Sequence, residues 1–251
     1  MSRLADKICI ITGAANGIGF CISERFQREG ASVVMADMNE QELAQACDRL
    51  GGSTTHLVTN VTEPASVAAL IEQTNARFGR IDVLVNNAGT GLAANVVDTE
   101  VEDFDRVIAV NLKGVFLGMK YVIPHMRRQR AGSIINMCSI GGLVGLYDRA
   151  AYCASKGGVA ILTKAAAIDH ATEGIRINAI APGTVNTPWV QRITASMEDP
   201  EAARQKMRER QAHGRLVEPE EIAAMAVYLA GDESRSTLGA IMVVDGGFMA
   251  R

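Results

Sequence analysis

The chain has 251 residues, a formal net charge of -3 and a hydrophobic content of 48%, and these values limit the kind of protein it can be. The length suits a single α/β domain over residues 1–251, with enough chain to bury a sizeable core. The weak negative charge gives no reason to expect nucleic acid or an anionic membrane as a partner. An apolar strand begins by residue 8, which leaves no room for a signal peptide, and no apolar run reaches the ~20 residues of a membrane span. We therefore expect a cytoplasmic protein.

Cysteine and histidine residues are scattered along the sequence. The five cysteines contain no C-x-x-C pair, which is typical of reduced thiols in a reducing compartment. The four histidines show no ligand spacing either. We expect neither disulfides nor a metal site.

A glycine-rich segment follows the first predicted strand, residues 7–12, and leads into a helical pattern that continues to Arg28. Glycines at a strand-to-helix turn permit positive φ and let backbone N–H groups approach a pyrophosphate at the helix N-terminus. The spacing is G-x-x-x-G-x-G rather than the general G-x-G-x-x-G. The alternative is a glycine-rich turn that binds no ligand. We interpret the segment as a dinucleotide site formed by Gly13, Asn16, Gly17, Ile18 and Gly19.

The second predicted strand, residues 32–36, ends at Asp37. A carboxylate at this position can accept hydrogen bonds from both ribose hydroxyls of adenosine, and it would repel a 2′-phosphate. Position 38 is Met38 rather than arginine, and no arginine follows Asn16 in the turn. The sequence therefore predicts NAD rather than NADP as the cofactor.

A helix over residues 40–50, a strand near 54–58 and a helix opening at Pro64 precede the fourth predicted strand, residues 81–85. That strand runs into Asn86-Asn87-Ala88-Gly89. Neutral amides can satisfy backbone groups without adding charge near a hydride acceptor. We expect this segment to lie beside the cofactor.

Tyr152 and Lys156 are four residues apart, which places both on one face of a helix, one turn from each other. A tyrosine hydroxyl has a pKa of about 10, and a lysine cation one turn away would lower it toward the range of a general base. Ser139, at the end of an apolar run, could hold a substrate oxygen. The competing interpretation is an ordinary amphipathic helix with a half-buried tyrosine.

Taken together, these motifs resemble the short-chain dehydrogenase/reductase family, over essentially the whole chain from Lys7 to Gly247. The resemblance implies an α/β Rossmann fold, with a doubly wound seven-stranded parallel sheet and helices on both faces. It also implies a catalytic tetrad of Asn111, Ser139, Tyr152 and Lys156. Asn111 would interrupt a long helix, about residues 101–130, and hold a water that relays protons to the lysine.

The resemblance implies further cofactor contacts and a substrate cover. Asn60 stands where the family usually has aspartate, and it can still hydrogen-bond. Residues 189–214 would form a small lid over the substrate, and the C-terminal end resembles members that assemble as homotetramers. The NAD-binding residues implied in addition to those above are Asn60, Val61, Asn87, Ala88, Gly89, Tyr152, Lys156, Pro182, Gly183, Val185 and Thr187.

Three arginines predict the chemical class of the substrate. From Pro182 onward the chain looks most like a branch containing cytosolic-type 3-hydroxybutyrate dehydrogenase and 2-keto-3-deoxy-fuconate dehydrogenase. In that branch arginines near Arg149, Arg192 and Arg215 hold an acid group, beside Ser139 and Tyr152. Guanidinium groups pair with carboxylate, sulfonate or phosphate oxygens. The alternative is arginines at the surface or between subunits.

We therefore expect an NAD-dependent oxidoreductase that reversibly oxidises a secondary alcohol to a ketone, or a sugar hydroxyl to a lactone. Its substrate would be small, polar and anionic: a hydroxy acid, a sugar acid or a sulfonated sugar or polyol. The rival functions are a 3-oxoacyl-thioester (acyl-carrier-protein) reductase, a neutral aldose or polyol dehydrogenase, and a non-enzymatic NAD-binding protein. Asp37 argues against the NADPH that the thioester reductase usually takes.

Overall fold

The structure is a computed structural model that describes residues 2–195 and 198–250. Seven parallel strands form one sheet in the order β3-β2-β1-β4-β5-β6-β7, which confirms the doubly wound sheet expected from the sequence. The strand order reverses between β1 and β4, and in such sheets ligands bind at the carboxyl ends of the strands beside that point. The strands are β1 (Ile8–Thr12), β2 (Ser32–Asp37), β3 (Thr54–Val58), β4 (Val83–Asn86), β5 (Gly132–Met137), β6 (Ile175–Pro182) and β7 (Ile241–Val244).

Helices cover both faces of the sheet, and two hydrophobic cores result. Alternate residues of β1 point to opposite faces: Cys9 and Ile11 belong to the first core and Ile10 to the second, and all three are 0% exposed. Burial on both faces explains why these strands read as continuous apolar runs. The helices are α1 (Gly17–Arg28), α2 (Glu40–Leu50), α3 (Pro64–Phe78), α4 (Val101–Ile108), α5 (Gly114–Gln129), α6 (Ala150–Asp169), α7 (Pro188–Ala195), α8 (Pro200–Glu209) and α9 (Pro219–Ala230).

The long helix of the sequence prediction is interrupted, as the family resemblance implied. A π-helical turn, Ala109–Lys113, separates α4 from α5, and Asn111 lies at its centre. Within the described residues, Val101–Gln129 is the one helical stretch with the length and hydropathy of a membrane span, and half of its most apolar window is buried. Val115, Met119 and Val122 of α5 pack in the second core, so this is a core helix of the domain.

Strand β4 begins at Val83, two residues later than the apolar pattern predicts. The Gln129 side chain explains the difference, because it accepts a hydrogen bond from the Ile81 N–H at 3.0 Å and donates one to the Ile81 carbonyl at 2.9 Å. Ile81 is thus satisfied by a distant side chain instead of by a neighbouring strand. The segment expected to form a lid carries α7 and α8, between β6 and α9.

Candidate active site

One cleft at the carboxyl ends of the strands joins the glycine-rich turn to the Tyr152–Lys156 helix. Its lining includes Gly13 after β1, Asp37 at the end of β2 and Ser139 after β5. The cavity has a volume of about 470 Å³, within the range of small-molecule sites. The sequence motifs therefore converge on a single site.

The glycine-rich turn has the shape expected of a phosphate site. Gly13 and Gly17 adopt left-handed backbone with φ of 64° and 57°. Asn87 fixes the turn from the neighbouring strand, because its Nδ2 donates to the Thr12 carbonyl at 2.9 Å and to the Gly13 carbonyl at 3.0 Å. Helix α1 begins at Gly17, and its first turn carries no charged side chain. Its N–H groups fit the pyrophosphate of a dinucleotide.

The carboxylate at the end of β2 is held rigidly. Asp37 accepts hydrogen bonds from the Ala15 N–H at 3.2 Å and the Asn39 N–H at 3.1 Å. A second carboxylate lies near the turn, since the Asn16 Nδ2 donates to Glu42 at 3.0 Å. This end of the cleft is therefore electronegative.

Three residues expected at the cofactor lie outside the lining of this cleft, as does Gly19 within the turn. Met38 is 71% exposed beside Asp37. Asn60 accepts hydrogen bonds from the backbone and hydroxyl of Thr62 at 3.0 and 2.9 Å, so its side-chain oxygen stabilises the local turn. Val61 packs toward Gly114 at the start of α5. In contrast, Pro182, Gly183, Val185 and Thr187 all line the cleft.

Lys156 is buried on α6, with 4% of its surface exposed. Its Nζ donates to the Met137 carbonyl at 2.7 Å and lies 6.0 Å from the centre of the Tyr152 ring. Burial lowers the pKa of this ammonium group to about 8. Lys156 can therefore lose or accept a proton near neutral pH.

The pKa of Tyr152 is shifted in the opposite direction from the one predicted from the sequence. Burial raises the pKa of its phenol above the ordinary value, and the hydrogen bond from Ser139 opposes that rise only in part. The prediction of a lowered pKa assumed that Lys156 faces the phenol, whereas its ammonium group is directed to the Met137 carbonyl. In this arrangement Tyr152 is a proton donor at neutral pH, and it becomes a base as pH rises.

Ser139 and Asn111 are the other two residues of the expected tetrad, and of these only Ser139 lines the cleft. Ser139 is 5% exposed, and its Oγ accepts the Gly141 N–H at 3.1 Å, which caps the short helical turn after β5. Asn111 is 0% exposed. Its Oδ1 accepts the Thr90 N–H at 2.8 Å, and its Nδ2 donates to the Thr90 carbonyl at 2.9 Å and to the Ser155 hydroxyl at 3.0 Å. The asparagine therefore fixes the π turn between the loop after β4 and helix α6.

A buried amide ladder supports the strands beneath the tetrad. Asn86 of β4 donates to Asn136 of β5 at 2.9 Å, and Asn136 donates to Thr163 of α6 at 3.0 Å. The two partners of each of these hydrogen bonds are far apart in the sequence. The ladder sets the relative position of β4, β5 and α6, which carry Asn87, Ser139 and Tyr152 at or near their ends.

The arginines expected at the substrate divide into two groups. Arg149 and Arg192 line the cleft, although the Arg149 Nη1 donates to the Leu92 carbonyl at 2.8 Å. The structure does not bring Arg215 to the cleft. It pairs with Glu221 of α9 at 2.6 Å, and this pairing lowers the pKa of Glu221 to about 2.

The sequence analysis missed several residues that line the cleft, because none of them belongs to a motif with a characteristic spacing. Arg210 follows α8 and lines the cleft; in the sequence it is one charge among several in a polar run. Neither the Arg192 nor the Arg210 side chain has a hydrogen-bond partner within residues 2–195 and 198–250. Other lining residues that were missed include Thr90, Gly91, Leu146, Trp189, Ile193 and Met207.

A doubly wound sheet whose glycine turn and Tyr–Lys pair share one cleft defines a nucleotide-dependent oxidoreductase. The sequence profile described as enoyl-(acyl carrier protein) reductase matches residues 13–249. The 3-oxoacyl-(acyl-carrier-protein) reductase of Thermotoga maritima is 41% identical over 250 residues, covering 98% of this chain and 99% of that protein. The chain belongs to the short-chain dehydrogenase/reductase family.

Further relatives agree on the class and differ in their substrates. The cis-4-hydroxycyclohexanecarboxylate dehydrogenase of Sinomonas cyclohexanicum is 40% identical over 249 residues, covering 98% of each chain. The crystal structure of levodione reductase superimposes with a TM-score of 0.95, at 34% identity and 99% coverage of each chain. This chain is accordingly an oxidoreductase of alcohol or ketone substrates that uses NAD or NADP.

Proposed function

We propose that this protein is an NAD-dependent dehydrogenase that oxidises the secondary hydroxyl of a small anionic substrate. The observation that carries the proposal is the single cleft in which Asp37 stands at one end and Ser139, Tyr152 and Lys156 at the other. A dinucleotide bound along this cleft would place its adenosine ribose near Asp37 and its nicotinamide near the tyrosine. The hydroxyl to be oxidised then lies within reach of both.

The chain's own residues supply binding and proton transfer. Ser139 donates a hydrogen bond to the substrate oxygen, and Tyr152 as phenolate takes the hydroxyl proton. Lys156 favours the phenolate by charge once its ammonium group turns from the Met137 carbonyl, and it binds the nicotinamide ribose. The cofactor, when bound, supplies the hydride acceptor at nicotinamide C4. In the reverse direction, Tyr152 returns the proton to the ketone oxygen.

The preference for NAD rests on two carboxylates. Asp37 is fixed by two backbone N–H groups, so it cannot turn away from a 2′-phosphate without losing both hydrogen bonds. Glu42, held by Asn16, adds a second negative charge to the same region. Repulsion of a 2′-phosphate selects NAD by exclusion. It also disfavours the thioester reductase function where that function depends on NADPH.

The preference for an anion rests on two cleft arginines. Arg192 lies in α7 and Arg210 directly follows α8. Both line the same cleft, and their side chains have no partner in the described residues to neutralise them. A carboxylate or sulfonate on the substrate would satisfy these guanidinium groups. The hydroxycyclohexanecarboxylate dehydrogenase among the relatives acts, by its name, on a hydroxy acid.

A neutral cyclic alcohol or diol is the second candidate, and the apolar part of the lining favours it. Leu146, Trp189, Ile193 and Met207 line the cleft beside the arginines. Such side chains would bury the carbon skeleton of an uncharged alcohol without any ionic contact.

Arginine variants separate the two candidates. We expect Arg192→Ala and Arg210→Ala to raise KM for hydroxy acids by roughly tenfold or more, since a hydrogen bond to a charged group contributes about 1.5–3 kcal/mol. The KM for neutral alcohols should stay unchanged. Arg215→Ala is the matched control, because its guanidinium group pairs with Glu221 outside the cleft. Equal effects on acids and neutral alcohols would refute the anionic substrate.

A further inference from the structure

Trp189 lines the cleft at the point where the lid begins. It is the only tryptophan in the chain, and it lies at the start of α7 with 42% of its surface exposed. Its indole rests directly on Gly91 on the opposite side of the cleft. A Cβ atom added at Gly91 would lie only 2.6 Å from Cζ2 and 2.9 Å from Cη2 of the indole. The ring therefore spans the cleft from lid to rim.

The rim of the cleft beneath the indole, residues 89–91, is held in place by hydrogen bonds. Thr90, next to Gly91, is held at both its N–H and its carbonyl by the buried side chain of Asn111. A Cβ atom at Gly89 would lie 3.7 Å from the Lys156 Nζ, so this loop borders the catalytic centre. The position of the indole on Gly91 is thus defined relative to the reacting atoms.

The two helices of the lid bury few of their side chains. Only Val190 and Thr194 are buried in α7, and none of the described residues of α8 is buried. The indole–glycine contact joins α7 to the loop after β4. Because the indole is large and rigid, its contact with Gly91 blocks a substrate chain that would otherwise extend between them.

We propose that Trp189, seated on Gly91, is the residue that limits the size of the substrate carbon skeleton. This inference rests on the proposed dehydrogenase function. Compact hydroxy acids and small cyclic alcohols fit beneath the indole, whereas chains that extend beyond the cleft between Trp189 and Gly91 are excluded. Long acyl thioesters belong to the excluded class.

The glycine is required by packing and not by its backbone. Gly91 does not have the positive φ of Gly13 or Gly17, so alanine is compatible with its backbone, and only the indole opposes the added methyl group. Gly91→Ala should displace Trp189 and leave the rest of the rim in place. Gly145→Ala is the matched control, because nothing lies within 4 Å of a Cβ atom there and its neighbour Leu146 lines the cleft.

The test measures kcat/KM with NAD for a homologous series of hydroxy acids and secondary alcohols of increasing size. Pocket contacts of one or two methylene groups change such ratios by roughly 10–200-fold. We expect Trp189→Ala and Gly91→Ala each to raise the ratio of long to short substrates at least tenfold, with Gly145→Ala and Trp189→Phe close to wild type. Because the chain has one tryptophan, Gly91→Ala should also shift the fluorescence emission to longer wavelength.

The outcomes separate the two proposals. An active wild-type enzyme whose substrate ranking is the same in Trp189→Ala and Gly91→Ala would overturn the role of the indole while leaving the dehydrogenase function intact. Unchanged emission in Gly91→Ala would likewise show that the indole does not rest on the glycine. A wild-type enzyme that oxidises no member of the series would refute the proposed function and this inference with it.

Discussion

Replacing Asn111 with alanine tests whether the π turn is held by its buried amide. The side chain makes three hydrogen bonds, to the Thr90 N–H, the Thr90 carbonyl and the Ser155 hydroxyl, and it is 0% exposed. Each such bond contributes about 0.5–1.5 kcal/mol to stability. The sum predicts that Asn111→Ala lowers the free energy of unfolding by about 3 kcal/mol.

Asn95 provides the matched control for that variant. Its side chain also makes three hydrogen bonds, to the Val97 N–H, the Asp98 N–H and the Asp98 carboxylate. It lies on an exposed loop, where water replaces lost partners, so Asn95→Ala should cost less than about 1 kcal/mol.

Urea unfolding followed by circular dichroism at one protein concentration measures both variants. The expected result for Asn111→Ala is a lower midpoint with an unchanged slope, because the loss concerns stability and not the extent of unfolding. It should also lower kcat, since Thr90 and Ser155 are both close to the catalytic residues. Equal stabilities for Asn111→Ala and Asn95→Ala would refute the reasoning from burial.

Two further predictions concern the glycine turn and the proton donor. Gly19→Ala should abolish dinucleotide binding measured by calorimetry, since its Cβ would lie 2.6 Å from the Asn87 Nδ2 and overlap the Gly13 carbonyl oxygen; binding like that of Gly145→Ala would contradict the packing. Burial raises the pKa of Tyr152 above its ordinary value, so the phenol of the free enzyme is protonated at pH 7. Alcohol oxidation should therefore accelerate as pH rises into the alkaline range, and ketone reduction should slow; an oxidation rate that falls from pH 7 to pH 9 would contradict this assignment.

The elements predicted most accurately are those whose signal is local in the sequence. Helix α2 begins and ends where the pattern placed it, because its start, its stop and its apolar face are encoded within a few residues. The Tyr152–Lys156 spacing and the glycine turn are equally local. Each of these features is specified by neighbours along the chain and needs no knowledge of the tertiary fold.

The features that the sequence did not predict depend on pairs of distant residues. The late start of β4 follows from Gln129 on α5, and the orientation of the Lys156 ammonium group follows from the Met137 carbonyl on β5. Arg210 lies at the cleft because α8 packs against α7, and this packing has no local signal in the sequence. Arg215 pairs with Glu221, six positions further along the chain, because the turn before α9 brings the two side chains together.

Appearance of reduced nucleotide at 340 nm is the most direct test of the central claim. Wild-type protein and Tyr152→Phe would each be given NAD or NADP with hydroxy acids, sugar acids, cyclic alcohols and diols. The account predicts turnover of at least one secondary alcohol by wild type, with NAD strongly preferred. Tyr152→Phe should still bind NAD but lose nearly all turnover. Substantial turnover by Tyr152→Phe, or a preference for NADP, would contradict the account.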